Sequence, residues 1–263
     1  MKHRLITGII LGLAALFSIF LLPPIVFKII MALIIVIAAV EWLNFLTIQS
    51  LIGKALLSIV FITLIALAWR YPRPVIYIAA LFWLMACSFL LIPQRFLGFL
   101  KRTPASILLC FGLLLPTFAA ACYLQYQNAA LLCYLVVTTA IADSGAYFCG
   151  KKWGKRPLAK KISPNKTIEG FWGAMLFGSL CALLLVFILP FRHTHPLLYY
   201  LPIGLFAIVL AVMGDLFESL IKRLYQVKDS GSLLPGHGGI LDRIDSLSAV
   251  IPLSTILWLG YVH

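Results

Sequence analysis

Apolar stretches of similar length recur along this chain, parted by short polar or proline-containing breaks, and their spacing sets the architecture. A helix needs about 20 apolar residues to cross a hydrocarbon core roughly 30 Å thick at 1.5 Å rise per residue. Stretches of this kind lie near residues 5–22, 25–43, 51–69, 74–92, 105–124, 128–148, 169–190, 199–221 and 246–262. The first two are separated by little more than Pro23 and Pro24, and the last is short. The pattern predicts an all-α, polytopic integral membrane protein of about nine transmembrane helices. It divides into an N-terminal multi-span region, 1–130, and a C-terminal region, 131–263, within one integrated fold.

Composition agrees: 63% of residues are hydrophobic and 11% charged, with a mean hydropathy of +1.06, whereas soluble domains carry roughly 25% charged residues. The 21 lysines and arginines then fix orientation. With the N-terminus in the cytoplasm, only Lys28, Arg70, Arg73 and Arg192 fall on the outer side, which is the bias expected of basic loops. The basic start from Lys2 to Arg4 leads into a long apolar stretch without an evident small-residue cleavage site, so it reads as an uncleaved first span. The net charge of +13 is spread over short loops at one face, which makes anionic membrane lipids, and no nucleic acid, the expected partner. Six cysteines without C-x-x-C spacing read as small apolar filler.

The acidic residues are Glu41, Asp143, Glu169, Asp215, Glu218, Asp229, Asp242 and Asp245, and all fall in the cytoplasmic layer of the nine-span arrangement. A carboxylate within a span costs on the order of 2.5–3.5 kcal/mol unless a cation, a partner or water compensates it. Asp215, Glu218 and Lys222 share a helix face at i, i+3, i+7, and Asp242 and Asp245 share a turn. Like charges so placed suit a divalent cation, and Mg²⁺ takes one or two carboxylates while leaving positions for phosphate and water. Neutralisation by Lys222, Arg223 and Arg243 as structural ion pairs is the alternative. Glu41, at the end of the second apolar stretch, reads as the structural partner of a basic residue.

Two segments suit phosphate. The turn containing Gly231, Gly236, His237, Gly238 and Gly239 leads directly into the Asp242 helix start, where free amides and the helix dipole favour an anion. The segment KKWGKRPLAKKISPNKTIEG, Lys151–Gly170, carries seven positive charges and one acid. Ser163 or Asn165 is expected to cap the following helix, with Glu169 in its first turn, and Lys166 beside Asn165 suits a triphosphate clamp. These parts predict a polar active-site cavity at the cytoplasmic side and phosphoryl or nucleotidyl transfer involving a membrane lipid, chemistry that rests on positioning and charge neutralisation. No P-loop and no nucleophile elbow is present in the sequence.

The stretch SLIKRLYQVKDSGSLLPGHGGILDRIDS, Ser219–Ser246, resembles the signature of the phosphatidate cytidylyltransferase (CDP-diacylglycerol synthase) family: S-x-x-K-R, four residues, K-D, then P-x-H-G-G, two apolar residues and D-R-x-D. GDLFES from Gly214, SPNKTIEG, and ADSGAYFCGKKWGK around Asp143 are similar to the family too, so the resemblance covers roughly residues 140–250. It implies transfer of CMP from CTP to phosphatidic acid, giving CDP-diacylglycerol and pyrophosphate, with Mg²⁺ and a second, monovalent cation such as K⁺. Asp215, Asp242 and Asp245 are then expected to hold the metal, with Asp143 supporting or replacing one of them. Asn165, Lys166, Lys222, Arg223, Lys228, His237, Gly238, Gly239 and Arg243 are expected to contact the two substrates. The implied location is a bacterial inner membrane. A lipid kinase using CTP or ATP is the nearest rival, and an ion-coupled transporter a more distant one. Gly170 and Gly173 would let helices approach closely, whether inside one protomer or across a homodimer.

Overall fold

The computed structural model describes residues 2–46, 51–92, 98–191, 196–231, 233 and 238–262. Every predicted apolar stretch is a helix: α1 (Lys2–Leu21), α2 (Pro24–Phe45), α3 (Leu51–Arg70), α4 (Pro72–Leu91), α5 (Thr103–Gln127), α6 (Ala129–Trp153), α7 (Ile168–Ile188), α8 (Pro196–Leu224) and α9 (Leu241–Val262). Prolines open α2, α4 and α5 at the first or second position, where the missing N–H has no helical acceptor to lose. Asn128 starts α6, its side chain accepting the Leu131 amide at 3.0 Å. Among the described residues, seven helices are long and apolar enough to cross a membrane. Large apolar side chains such as Leu81, Leu84 and Phe187 stand 71% exposed on the outside of the bundle, where lipid would cover them. The protein is therefore a helical, multi-pass membrane protein. Arg192 and His237 lie outside the described residues.

The helices alternate in direction, and cross-links at either end of the bundle show it. At one end Trp42 Nε1 donates to Ser106 Oγ at 3.0 Å. At the other, Gln125 Nε2 donates to the Leu22 carbonyl at 3.2 Å. The core between them is aromatic, with Phe82, Trp83 and Phe217 packed edge to face at centroid distances of 5.5–5.6 Å.

The tightest seam runs between α6 and α7. A Cβ on Gly173 would come within 2.5 Å of Cys149 Cβ, and one on Gly145 would come within 2.8 Å of the Gly173 carbonyl oxygen. Gly170, likewise buried, faces the Ala146 carbonyl. Gly170 and Gly173 thus serve packing inside one protomer, bringing two backbones together as small residues do between membrane helices.

Two elements depart from the sequence expectation. Between α6 and α7 the chain forms a small antiparallel hairpin, β1 (Pro157–Ala159) paired with β2 (Ser163–Thr167), so the fold is helical but not purely so. Ser163 and Asn165 lie in β2 and do not cap α7. Thr167 caps it instead, its Oγ1 accepting the Gly170 amide at 3.1 Å, because the strand carries the chain past Asn165 before helical dihedrals begin. The second departure is that α9 begins at Leu241, five residues before the predicted stretch, which places Asp242 and Asp245 in its opening turns.

Candidate active site

At the end of the bundle where α6 and α8 finish and α7 and α9 begin, a cavity of about 540 Å³ opens. Four of its walls come from separate elements: Asp143 and Tyr147 from α6, Asn165 and Lys166 from β2, Asp215 from α8, and Asp242, Arg243 and Asp245 from α9. Sequence distance of up to a hundred residues is closed by packing: the glycine seam presses α6 against α7, and α8 lies along both α7 and α9.

The carboxylates fall into two groups with different surroundings. Asp143, Asp215 and Asp245 are neighbours around the cavity, with Lys166 among them. Lys166 pairs directly with Asp215, so a lysine on the hairpin reaches across to the end of α8. Ser246 donates its amide to Asp245 Oδ1 at 2.7 Å. Asp242 is instead held by protein donors through both oxygens. Its Oδ2 accepts the Ser230 amide at 2.8 Å, the Gly239 amide at 2.8 Å and lies 2.9 Å from Ser230 Oγ, and its Oδ1 accepts Lys222 Nζ at 2.7 Å. Lys222 also meets Glu218 at 3.3 Å, and the buried Glu218 lies against Asp245. The intrahelical Glu218–Lys222 pair was legible from its i, i+4 spacing.

Among the described residues, no three metal-ligating side chains converge into a ready-made cage. The ammonium groups of Lys166 and Lys222 stand beside Asp215 and Asp242 where counter-charge is required, so Lys222 does in part what the ion-pair alternative supposed. The donor chemistry nonetheless fits a hard divalent ion. Asp215 and Asp245 supply the one or two carboxylates Mg²⁺ uses, and the open cavity leaves the other positions to water and phosphate. Asp143 adds a third carboxylate to the same wall.

Of the other expected substrate contacts, Asn165, Lys166 and Arg243 line the cavity, whereas Arg223 and Lys228 are exposed and do not. Gly238 and Gly239 shape the turn. Gly238 adopts φ +80°, and a Cβ there would collide with Asp242 Oδ2. Glu41 does not pair with a base among the described residues. Its carboxylate accepts the Ile240 amide at 3.0 Å and the Leu241 amide at 2.8 Å and lies 3.1 Å from Ser230 Oγ. The sequence signalled that a lone acid in an apolar half needs a partner, but the partner is 200 residues away. The hairpin is fastened in a similar way: Glu169 accepts the Lys155 and Arg156 amides at 3.1 and 3.3 Å and pairs with the Arg156 side chain at 3.3 Å.

Residues 2–259 match the model of the cytidylyltransferase family, well beyond the stretch that carries the motifs. The chain is 33% identical to the phosphatidate cytidylyltransferase of Pseudomonas aeruginosa, covering 98% of this chain and 97% of that one. Identity to the Haemophilus influenzae protein of the same name is 31%, over 96% of each chain. The Bacillus subtilis protein of that name is 44% identical over a shorter alignment, 59% of this chain and 55% of its own.

Proposed function

Since the chain belongs to the cytidylyltransferase family, we propose that it is a phosphatidate cytidylyltransferase, transferring CMP from CTP to phosphatidic acid to give CDP-diacylglycerol and pyrophosphate. The observation that carries this reading is a cavity in which four carboxylates, Asp143 from α6, Asp215 from α8 and Asp242 and Asp245 from α9, stand with a lysine from the hairpin at one end of an apolar bundle. A phosphate monoester of a lipid can enter such a site from the membrane while the triphosphate enters from water.

Phosphatidate already presents a nucleophilic oxygen. That oxygen attacks the α-phosphorus of CTP, a new P–O–P bond forms, and the bond to the bridging oxygen of the β-phosphate breaks to release pyrophosphate. The task of the chain is alignment and charge compensation. Lys166 and Arg243, both on the cavity wall, are the groups to hold phosphate oxygens, and Asn165 can donate from the same strand. Asp215 and Asp245, with Asp143 beside them, would hold Mg²⁺, which supplies neutralisation of the charge that builds on the transferred and departing phosphates. Asp242 holds Lys222 and the glycine turn, so its part in the reaction is to shape the wall beside Asp245.

The basic-loop asymmetry supports a cytoplasmic site and N-terminus, and the length of α1 and α3, 20 residues each, supports their crossing as well, for nine spans in a bacterial inner membrane. The decisive experiment uses purified protein in detergent with phosphatidate, Mg²⁺ and CTP labelled at the α-phosphorus. Label should move into lipid with stoichiometric pyrophosphate. Label that remains on nucleotide while the γ-phosphate moves to lipid would assign a kinase instead.

A further inference from the structure

We infer that Glu41, on α2 in the half of the chain without signature motifs, is a positioning residue for the transfer reaction, acting through the first turn of α9; its link to turnover rests on the functional reading above. Glu41 is 7% exposed and comes from a helix that contributes nothing to the cavity wall among the described residues. Its two carboxylate oxygens divide the work. Oε1 accepts the Ile240 amide, and Oε2 accepts the Leu241 amide. These are the orphan donors at the start of α9, and a negative charge set against them is favoured by the helix dipole as well as by hydrogen bonding. The acceptor for these two amides is thus supplied from across the bundle.

The contact extends into the site through one hydroxyl. Ser230 Oγ lies 3.1 Å from Glu41 Oε2 and 2.9 Å from Asp242 Oδ2, and it accepts the Asp242 amide at 3.3 Å. With one proton to donate, it joins the two carboxylates into a single knot. The glycines of the turn are fitted to this knot: a Cβ on Gly231 would stand 2.7 Å from Glu41 Oε1, and one on Gly239 would collide with both Glu41 Oε2 and Ser230 Oγ. Asp242, Arg243 and Asp245 all project from the turn that Glu41 holds, and all three line the cavity. Displacement of that turn by a fraction of an ångström misaims Asp245 and Arg243 together, without any change in what touches CTP.

Glu41→Gln tests this with little change in volume. A carboxamide offers one oxygen to two amides and turns an NH₂ donor toward the other, so one helix-start amide loses its acceptor. The expected result is a fall in kcat of about tenfold or more, with KM for CTP unchanged to within about twofold and with a melting temperature in detergent that drops by a few degrees but stays well above the assay temperature. Hydrogen exchange at Ile240 and Leu241 should quicken while the rest of α9 stays protected. Ser230→Ala should lower kcat as well, and the double variant should lose much less than the product of the two single losses, because both act on one knot. Parent-like kcat in Glu41→Gln overturns the inference, as does a loss explained entirely by unfolded protein or a double variant whose losses multiply. A parent chain that places no α-label in lipid overturns the functional reading instead, and the exchange measurement then still decides whether Glu41 holds the helix start.

Discussion

Asp242 and Asp245 sit one turn apart on the same helix, yet their surroundings assign them different work. Both carboxylate oxygens of Asp242 are engaged by Lys222, Ser230 and Gly239, whereas Asp245 faces the cavity beside Asp215 and Asp143. Asp242→Asn would set an NH₂ group against the lysine or against two amides, leaving buried donors unmatched, at a cost of about 2 kcal/mol or more. A lowered melting temperature together with lost turnover is the expected outcome. Asp245→Asn should leave the melting temperature near the parent value and lower turnover on the order of a hundredfold. Side-by-side melting curves and pyrophosphate assays of the two variants check the distinction. The sequence alone made the two aspartates look alike, since i, i+3 spacing gives a shared face and says nothing about a turn that folds back over one of them.

At the scale of elements, the helices were legible and the connections were not. Uniform apolar stretches of about 20 residues leave the backbone no alternative to a helix in lipid, which is why each of the nine coincides with a helix, the end of α6 and the start of α9 lying five residues from the expected bounds. The hairpin had no such signal: Pro157–Thr167 is rich in lysine, lacks a two-residue alternation, and is set by the Glu169 clamp at its base. Thr167 as the cap was readable only from its place two residues ahead of Glu169. The α6–α7 seam yields a prediction at this scale. Gly173→Val places a branched side chain where a single Cβ already meets Cys149, and must push the helices apart, at a cost of about 1–3 kcal/mol by the measure of overpacked cores. Because Asp143 rides on α6 and Lys166 on the strand that leads into α7, turnover should fall along with the melting temperature. Cys149→Ala in the same chain should recover part of both losses.

The whole molecule is an apolar bundle with its chemistry gathered at one end, and its orientation is open to a direct test. A single cysteine in place of Arg73, in a background lacking the native cysteines, should react with a membrane-impermeant maleimide on intact cells. One in place of Lys151 should react only after the membrane is opened. The reverse pattern would turn the bundle over and put the cavity on the wrong side for a cytoplasmic nucleotide. At this scale the sequence located the acids in one layer, but it did not reveal that the N-terminal half takes part in the site. Glu41 lies far from every motif, and only the folded chain shows what it holds. The order of synthesis gives that contact one more consequence. Glu41 leaves the ribosome 200 residues ahead of Leu241, an interval of roughly 10 to 40 s at 5–20 residues per second. Throughout it the nascent chain carries a carboxylate whose native donors do not yet exist, so the site can close only as α9 inserts.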